Sequence, residues 1–197
     1  MARDIFEFWA KIKRGQTIHP DDESTFRRMH PARHGFQLHR LPACFAGPLK
    51  TAKVVLLYLS PGYDEDNKYR VNTKEEKDRY VKRWRGDEML PEHDWFKKRT
   101  RRFGDFATIK QHTAILNIGA YQSKDVKSYA SLLALPSSRM TLNWAQTVLF
   151  EEAEKKKRIV ICMRSAAYWG LETGNTYSGD LYAPATVRSG YLKQSSA

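Results

Sequence analysis

The stretch Ala52–Asn67, AKVVLLYLSPGYDEDN, limits what this chain can fold into more than any other. After Lys53 only Val, Leu and Tyr follow as far as Leu59. A short apolar run with no alternation fits a strand buried on both faces, as in a parallel sheet covered by helices. Ser60-Pro61-Gly62 ends it abruptly. Proline fixes one dihedral and has no N–H, and glycine reaches backbone conformations that other residues avoid. Asp64, Glu65, Asp66 and Asn67 then crowd the loop just past the strand's C-terminal end. In open α/β sheets that end is where ligands bind.

The rest of the chain supplies partners for such a strand. Thr113–Ile118 (TAILNI) and Arg158–Met163 (RIVICM) read as a second and third strand, and Asp180–Pro184 as a fourth. Between them lie helical patterns. Thr73–Arg85 has Tyr80, Val81 and Trp84 as a thin apolar stripe, and Glu92–Phe103 turns Trp95, Phe96 and Phe103 inward. Ser128–Leu135 is a short helix ended by Pro136. Ser137 or Ser138 then caps a long one reaching Lys157. Ahead of the first strand, Asp4–Arg14 predicts a helix stopped at Gly15, and Asp21 or Asp22 caps another running to Met29. Residues 30–50 read as irregular. The pattern predicts a three-layer α/β/α sandwich with a four-stranded, mostly parallel central sheet. At 197 residues it forms one domain, residues 1–197, with residues 1–40 as an N-terminal helical extension.

Charge narrows the function. With 34 Lys and Arg against 22 Asp and Glu, the chain carries a net +12, which favours acidic partners and nucleic acid first. No 18-residue apolar run is present, so no membrane span is expected. The N-terminus lacks a continuous apolar signal core, so a cytoplasmic protein is expected. Cys44 and Cys162, in apolar surroundings, are expected as buried reduced thiols. His30, His34 and His39 have no interleaved carboxylate or cysteine at a metal-ligand spacing. They are expected as solvated or capping residues, and neither metal nor cofactor is expected. The basic run Lys155–Arg158 suits the negative end of its helix, whereas Lys97, Lys98, Arg99, Arg101 and Arg102 are candidates for phosphate contact.

Taken together, the motifs resemble the uracil-DNA glycosylase superfamily, and in particular poorly characterised bacterial members, over roughly residues 40–193. Leu57–Gly62 (LYLSPG) is similar to the first motif. Ala114–Ala120 (AILNIGA) is similar to the strand whose terminal asparagine reads the extruded base. Arg158–Ser165 (RIVICMRS) is similar to the strand and helix cap that follow. Ala183–Tyr191 (APATVRSGY) stands where the DNA-intercalating motif belongs. The resemblance implies a metal-independent DNA glycosylase acting on duplex or single-stranded DNA as a monomer.

Ser60 stands where the family pattern has Asn or Asp, and Pro184 has no neighbouring histidine. A modified base is then a better expected substrate than uracil. Catalysis falls to Asp64, with Ser60 and Asp66 in support. Asn117, Tyr63 and Gly62 would hold the base. Arg164, Ser165, Pro184, Arg188, Lys97, Lys98 and Arg101 would hold the DNA. Two rivals stay open: a nucleic-acid-binding protein with an inactive pocket, and a Mg²⁺-dependent nucleotide or phosphate-ester hydrolase using the acidic loop.

Overall fold

The computed structural model describes residues 4–62, 73–86, 88, 96–97, 100, 104–124 and 126–185. Five strands form one sheet: β1 (Phe45–Ala46), β2 (Val54–Tyr58), β3 (Thr113–Asn117), β4 (Ile159–Cys162) and β5 (Leu181–Tyr182). Their spatial order is β1-β3-β2-β4-β5, with β1 antiparallel and every other pairing parallel. The expected sheet of four strands is thus corrected to five. The added strand, β1, is two residues long and falls in a stretch read as irregular. A pair of residues has no period, so only its pairing with Leu116 and Ile115 defines it.

The long strands form where the apolar runs stood. On β2, Val55 and Leu57 turn to one face and Leu56 and Tyr58 to the other. Both faces are buried, which is why the run shows no alternation. The first face is covered by α1 (Ile5–Trp9), α2 (Pro20–Arg28), α4 (Lys74–Arg83), α6 (Tyr129–Ala134), α7 (Pro136–Trp144) and α8 (Phe150–Glu154). Between α2 and α4 in the chain lies α3 (Pro31–His34). A π-helical segment, Ala145–Leu149, joins α7 to α8 without a break. The second face meets Phe96 and α5 (Phe106–His112), with Leu56, Tyr58 and Met163 buried beneath them. No helix among the described residues is long and apolar enough to cross a membrane.

The N-terminal helices are built into this core. Trp9 is fully buried and stacks on Trp84 of the chain just past α4 at 4.5 Å, while Phe45 meets Trp84 edge-on at 5.2 Å. Offset and edge-on ring pairs of this kind add to the area they bury. The first helix is shorter than its apolar pattern. Asp4 caps it by accepting from Phe6 N–H, and Ala10 ends it. Tighter turns then carry Ile12 into the core, with the Lys11 N–H donating to Phe8 O and the Ile12 N–H to Trp9 O.

Histidines cap three of the turns. His19 Nδ1 accepts from Asp21 N–H, His30 Nδ1 from Ala32 N–H, and His34 Nδ1 from Phe36 N–H. His19 rather than an aspartate caps α2. Its Nε2–H reaches Phe8 O at 2.9 Å, which leaves a neutral ring stacked on Phe8. Burial lowers the pKa of His19 and of His34 from the ordinary 6.5. A lowered folded-state value means that the unfolded chain takes up protons first as pH falls. Stability is therefore complete above about pH 6.5 and declines below it. Urea midpoints between pH 7 and 5 should fall, and an unchanged midpoint across that range would contradict the neutral, buried assignment of both rings.

Both cysteines are buried and free. Burial pushes the Cys44 thiol up to about 12 and the Cys162 thiol up to about 11, so both are protonated at neutral pH. At the helix end, Lys155 pairs with Glu151, and Arg158 is held by Glu152 at 2.9 Å and by the carbonyls of Leu49 and Lys50 at 2.7 Å each. Arg158 thus serves the fold.

Candidate functional site

Because β2, β3, β4 and β5 run the same way, the loops that leave their C-terminal ends share one rim. Backbone hydrogen bonds fix the alignment. Ile118 N–H donates to Tyr58 O at 3.1 Å, Gly119 N–H to Leu59 O at 2.8 Å, and Met163 N–H to Leu57 O at 3.0 Å. Along the rim, Asn117 is followed by Ser60–Gly62, then Arg164–Ser165, then Pro184. Counted in chain order, the four parallel strands have the doubly wound order 2-1-3-4. The chain leaves β2 toward β3 and returns past it to β4. In sheets of this order the strand ends at such a reversal are the usual ligand position.

Past the ends of β4 and β5 lies a cavity of about 370 Å³, lined by residues 162–166, Thr173, Pro184 and Ala185; Ser60 and Asn117 do not line it. That size falls within the usual range of small-molecule sites. Three residues picked from the sequence, Arg164, Ser165 and Pro184, meet in its wall. Thr173 was not foreseen. It lies in a polar loop with no periodic signal and reaches the cavity only because the Gly174 N–H donates to Ala183 O beside Pro184.

Ser165 does not have the role expected of it. It precedes a four-residue 3-10 turn, Ala166–Trp169, in the left-handed region at φ 62°, and makes no capping bond. A helix N-cap needs an extended backbone to aim its hydroxyl at the following N–H groups. A left-handed serine lacks that alignment and carries roughly 1–2 kcal/mol of backbone strain. Such strain at a cavity wall is a feature that functional sites tend to retain. Arg164 beside it is exposed, and its carbonyl accepts from the Cys162 thiol at 3.3 Å.

Asn117 closes β3 and is 5% exposed. Its backbone N–H donates to Cys44 O at 2.7 Å, and its side-chain Nδ2 donates to Ala43 O at 2.9 Å. The segment leading into β1 therefore orients the carboxamide. One amide hydrogen and Oδ1 make no hydrogen bond to another described residue. An amide presents two donors and one acceptor oxygen, so one of each has no partner among the described residues. By strand alternation Asn117 faces the side of Ile115 and Tyr58, the sheet's second face.

Gly62 is exposed, lacks a positive φ, and has open space where a Cβ would stand. The expected special backbone conformation at Gly62 is therefore corrected: proline and the strand's end make this bend. Lys97 sits with its ammonium 5.3 Å above the Phe106 ring, against α5 on the second face. Asp64, Asp66, Tyr63, Lys98, Arg101 and Arg188 lie outside the described residues. Among the described residues no group of three His, Cys, Asp or Glu side chains is placed to hold a metal ion.

No protein-family model matches the chain, and neither a curated protein nor a solved structure matches it significantly. What the fold defines is a class: a mixed α/β domain with a mostly parallel five-stranded sheet flanked by helices.

Proposed function

We propose that this chain is a DNA glycosylase of the uracil-DNA glycosylase type that extrudes a modified base and hydrolyses its N-glycosidic bond. The observation that carries the reading is the shared rim. Ser60, Asn117, Arg164, Ser165 and Pro184, drawn from four separate motifs, all stand at the C-terminal ends of neighbouring strands, three of them around one cavity. The net charge of +12 supports a polyanionic partner.

In this reading the nucleotide leaves the stack and settles at the rim. Tyr63 stacks on it, and the remaining donor and acceptor of Asn117 take its hydrogen-bonding edge. Bond cleavage builds positive charge on the sugar, which a carboxylate stabilises. Asp64 takes that part, with Asp66 beside it. Ser60, a weak base, orients the attacking water through its hydroxyl. Gly62 leaves space for the base to approach. Arg164, Arg188, Lys97, Lys98 and Arg101 neutralise phosphates, so binding weakens steeply with salt. The protein works as a monomer in the cytoplasm, where its buried thiols stay reduced.

The test is base release from duplex and single-stranded oligonucleotides carrying uracil, hypoxanthine, modified cytosines or bulky modified bases, followed by alkaline strand cleavage. Intact strands with every substrate would refute the proposal. For a cleaved substrate, Asn117→Ala should raise the barrier by about 1–3 kcal/mol, the cost of an unmet polar edge. A second reading, a nucleic-acid-binding protein that does no chemistry, is favoured by serine at position 60. Asp64→Asn separates the two, because binding survives in both cases while turnover is lost only from an enzyme.

A further inference from the structure

Three large apolar side chains stand out as exposed among the described residues: Tyr129, Ile159 and Tyr182. Tyr129 differs from the other two because its ring is already stacked. It lies on Tyr168 with centroids 4.3 Å apart and planes 18° apart. Tyr129 opens α6, past the end of β3, and Tyr168 sits in the 3-10 turn past the end of β4. Those strands flank β2 on either side, so the stack joins the segments that follow β2's two neighbours. The Tyr168 N–H donates to Ser165 O at 3.0 Å, which ties the stack to the cavity wall.

Burial accounts for Tyr168, which packs on the core, but not for Tyr129. Tyr129 keeps 42% of its surface in solvent, and neither hydroxyl bonds to another described residue. With one face of Tyr129 covered by Tyr168, much of that open area belongs to the other face. Two exposed cations stand near the rings in the chain: Lys127, two residues before Tyr129, and Arg164, four residues before Tyr168. Proteins hold single-stranded nucleic acid by stacking bases on open aromatic faces and contacting phosphates with basic side chains.

We infer that Tyr129 and Tyr168 form a stacking platform for an unpaired nucleobase. The inference rests on the proposed function for its partner but adds a second subsite. Tyr168 packs against the core cluster of the sheet's first face, whereas Asn117 belongs to the second. The platform therefore holds a nucleotide next to the one at Asn117 and not the same one. It favours single-stranded or locally opened DNA over closed duplex.

A short single-stranded oligonucleotide carrying 2-aminopurine tests this at one fixed salt concentration. The wild-type protein should bind it and quench its emission. Tyr129→Ala combined with Tyr168→Ala should weaken binding about tenfold or more and restore the emission. Tyr129→Phe, which keeps the ring, should behave as wild type. Unchanged affinity and quenching in the double variant would overturn the inference, as would wild-type protein that binds duplex but no single strand. Quenching without base release from any substrate would uphold the platform while removing the glycosylase reading. Base release that is indifferent to both tyrosines would do the reverse. Tyr129 is exposed, and an unchanged melting transition checks that the variants fold.

Discussion

Replacing Asp22 with alanine is expected to lower the unfolding free energy by about 3–5 kcal/mol, seen as a lower urea midpoint with an unchanged slope. Asp22 lies on α2 and is fully buried. Its Oδ2 accepts from the Tyr121 hydroxyl at 2.6 Å, and its Oδ1 accepts from Ser137 N–H at 2.9 Å. Tyr121 in turn accepts from His19 N–H at 3.1 Å. One carboxylate thus joins the N-terminal helices, the loop after β3 and the first turn of α7. Hydrogen bonds to a charged group contribute about 1.5–3 kcal/mol each, and both donors would be left in the core without a partner. The negative charge also faces the N-terminal end of α7, where the helix dipole favours it. Tyr121→Phe removes only one of the two bonds, so its cost should be about 1–3 kcal/mol. A variant Asp22→Ala within about 1 kcal/mol of wild type would show that the carboxylate is dispensable.

Gly179→Ala is expected to cost about 3 kcal/mol in the same measurement. Gly179 holds φ 68°, where an L side chain costs roughly 1–2 kcal/mol. A Cβ there would also strike backbone, the carbonyls of Ala153 and Glu154, and would stand 2.6 Å from the Glu154 Cα. Forcing a packed contact apart adds about 1–3 kcal/mol. Backbone cannot rotate aside as a side chain tip can. The turn matters because the next residue, Asp180, donates its N–H to Ala153 O at 2.9 Å, docking the start of β5 on α8. Gly62→Ala is the control. No atom meets its Cβ, so it should stay within about 0.5 kcal/mol of wild type. Equal midpoints for the two variants would contradict the close approach at Gly179.

How far the sequence could be read depended on the range of the interactions involved. The three longer strands are visible because double burial forces an apolar run, and the three were placed to within one or two residues. Their parallel direction, shared by β5, is what brings Ser60, Asn117, Arg164 and Pro184 to a common rim. Of the two-residue strands, Leu181–Tyr182 falls inside the expected Asp180–Pro184, whereas Phe45–Ala46 has too few residues to carry a pattern. The α5 helix was missed because it buries no residue fully and its apolar face is only Phe106 and Ile109. The cap of α7 was misplaced for a long-range reason. Pro136 takes the first helical position, and Asp22, far away in the chain, satisfies the Ser137 N–H. Local signals pointed to Ser137 or Ser138, both of which are buried within the helix instead. The left-handed backbone at Ser165 left no mark in the sequence, since serine is ordinary at a helix start.

The sheet's margins carry one more consequence. Among the described residues both outermost strands, Phe45–Ala46 and Leu181–Tyr182, are only two residues long. Amyloid growth and strand exchange both need an extended ladder of unsatisfied amides onto which a newcomer zips, and neither border supplies one. Short borders of this kind leave the described sheet little edge for self-templating, which turns contacts between copies toward its helices and its rim.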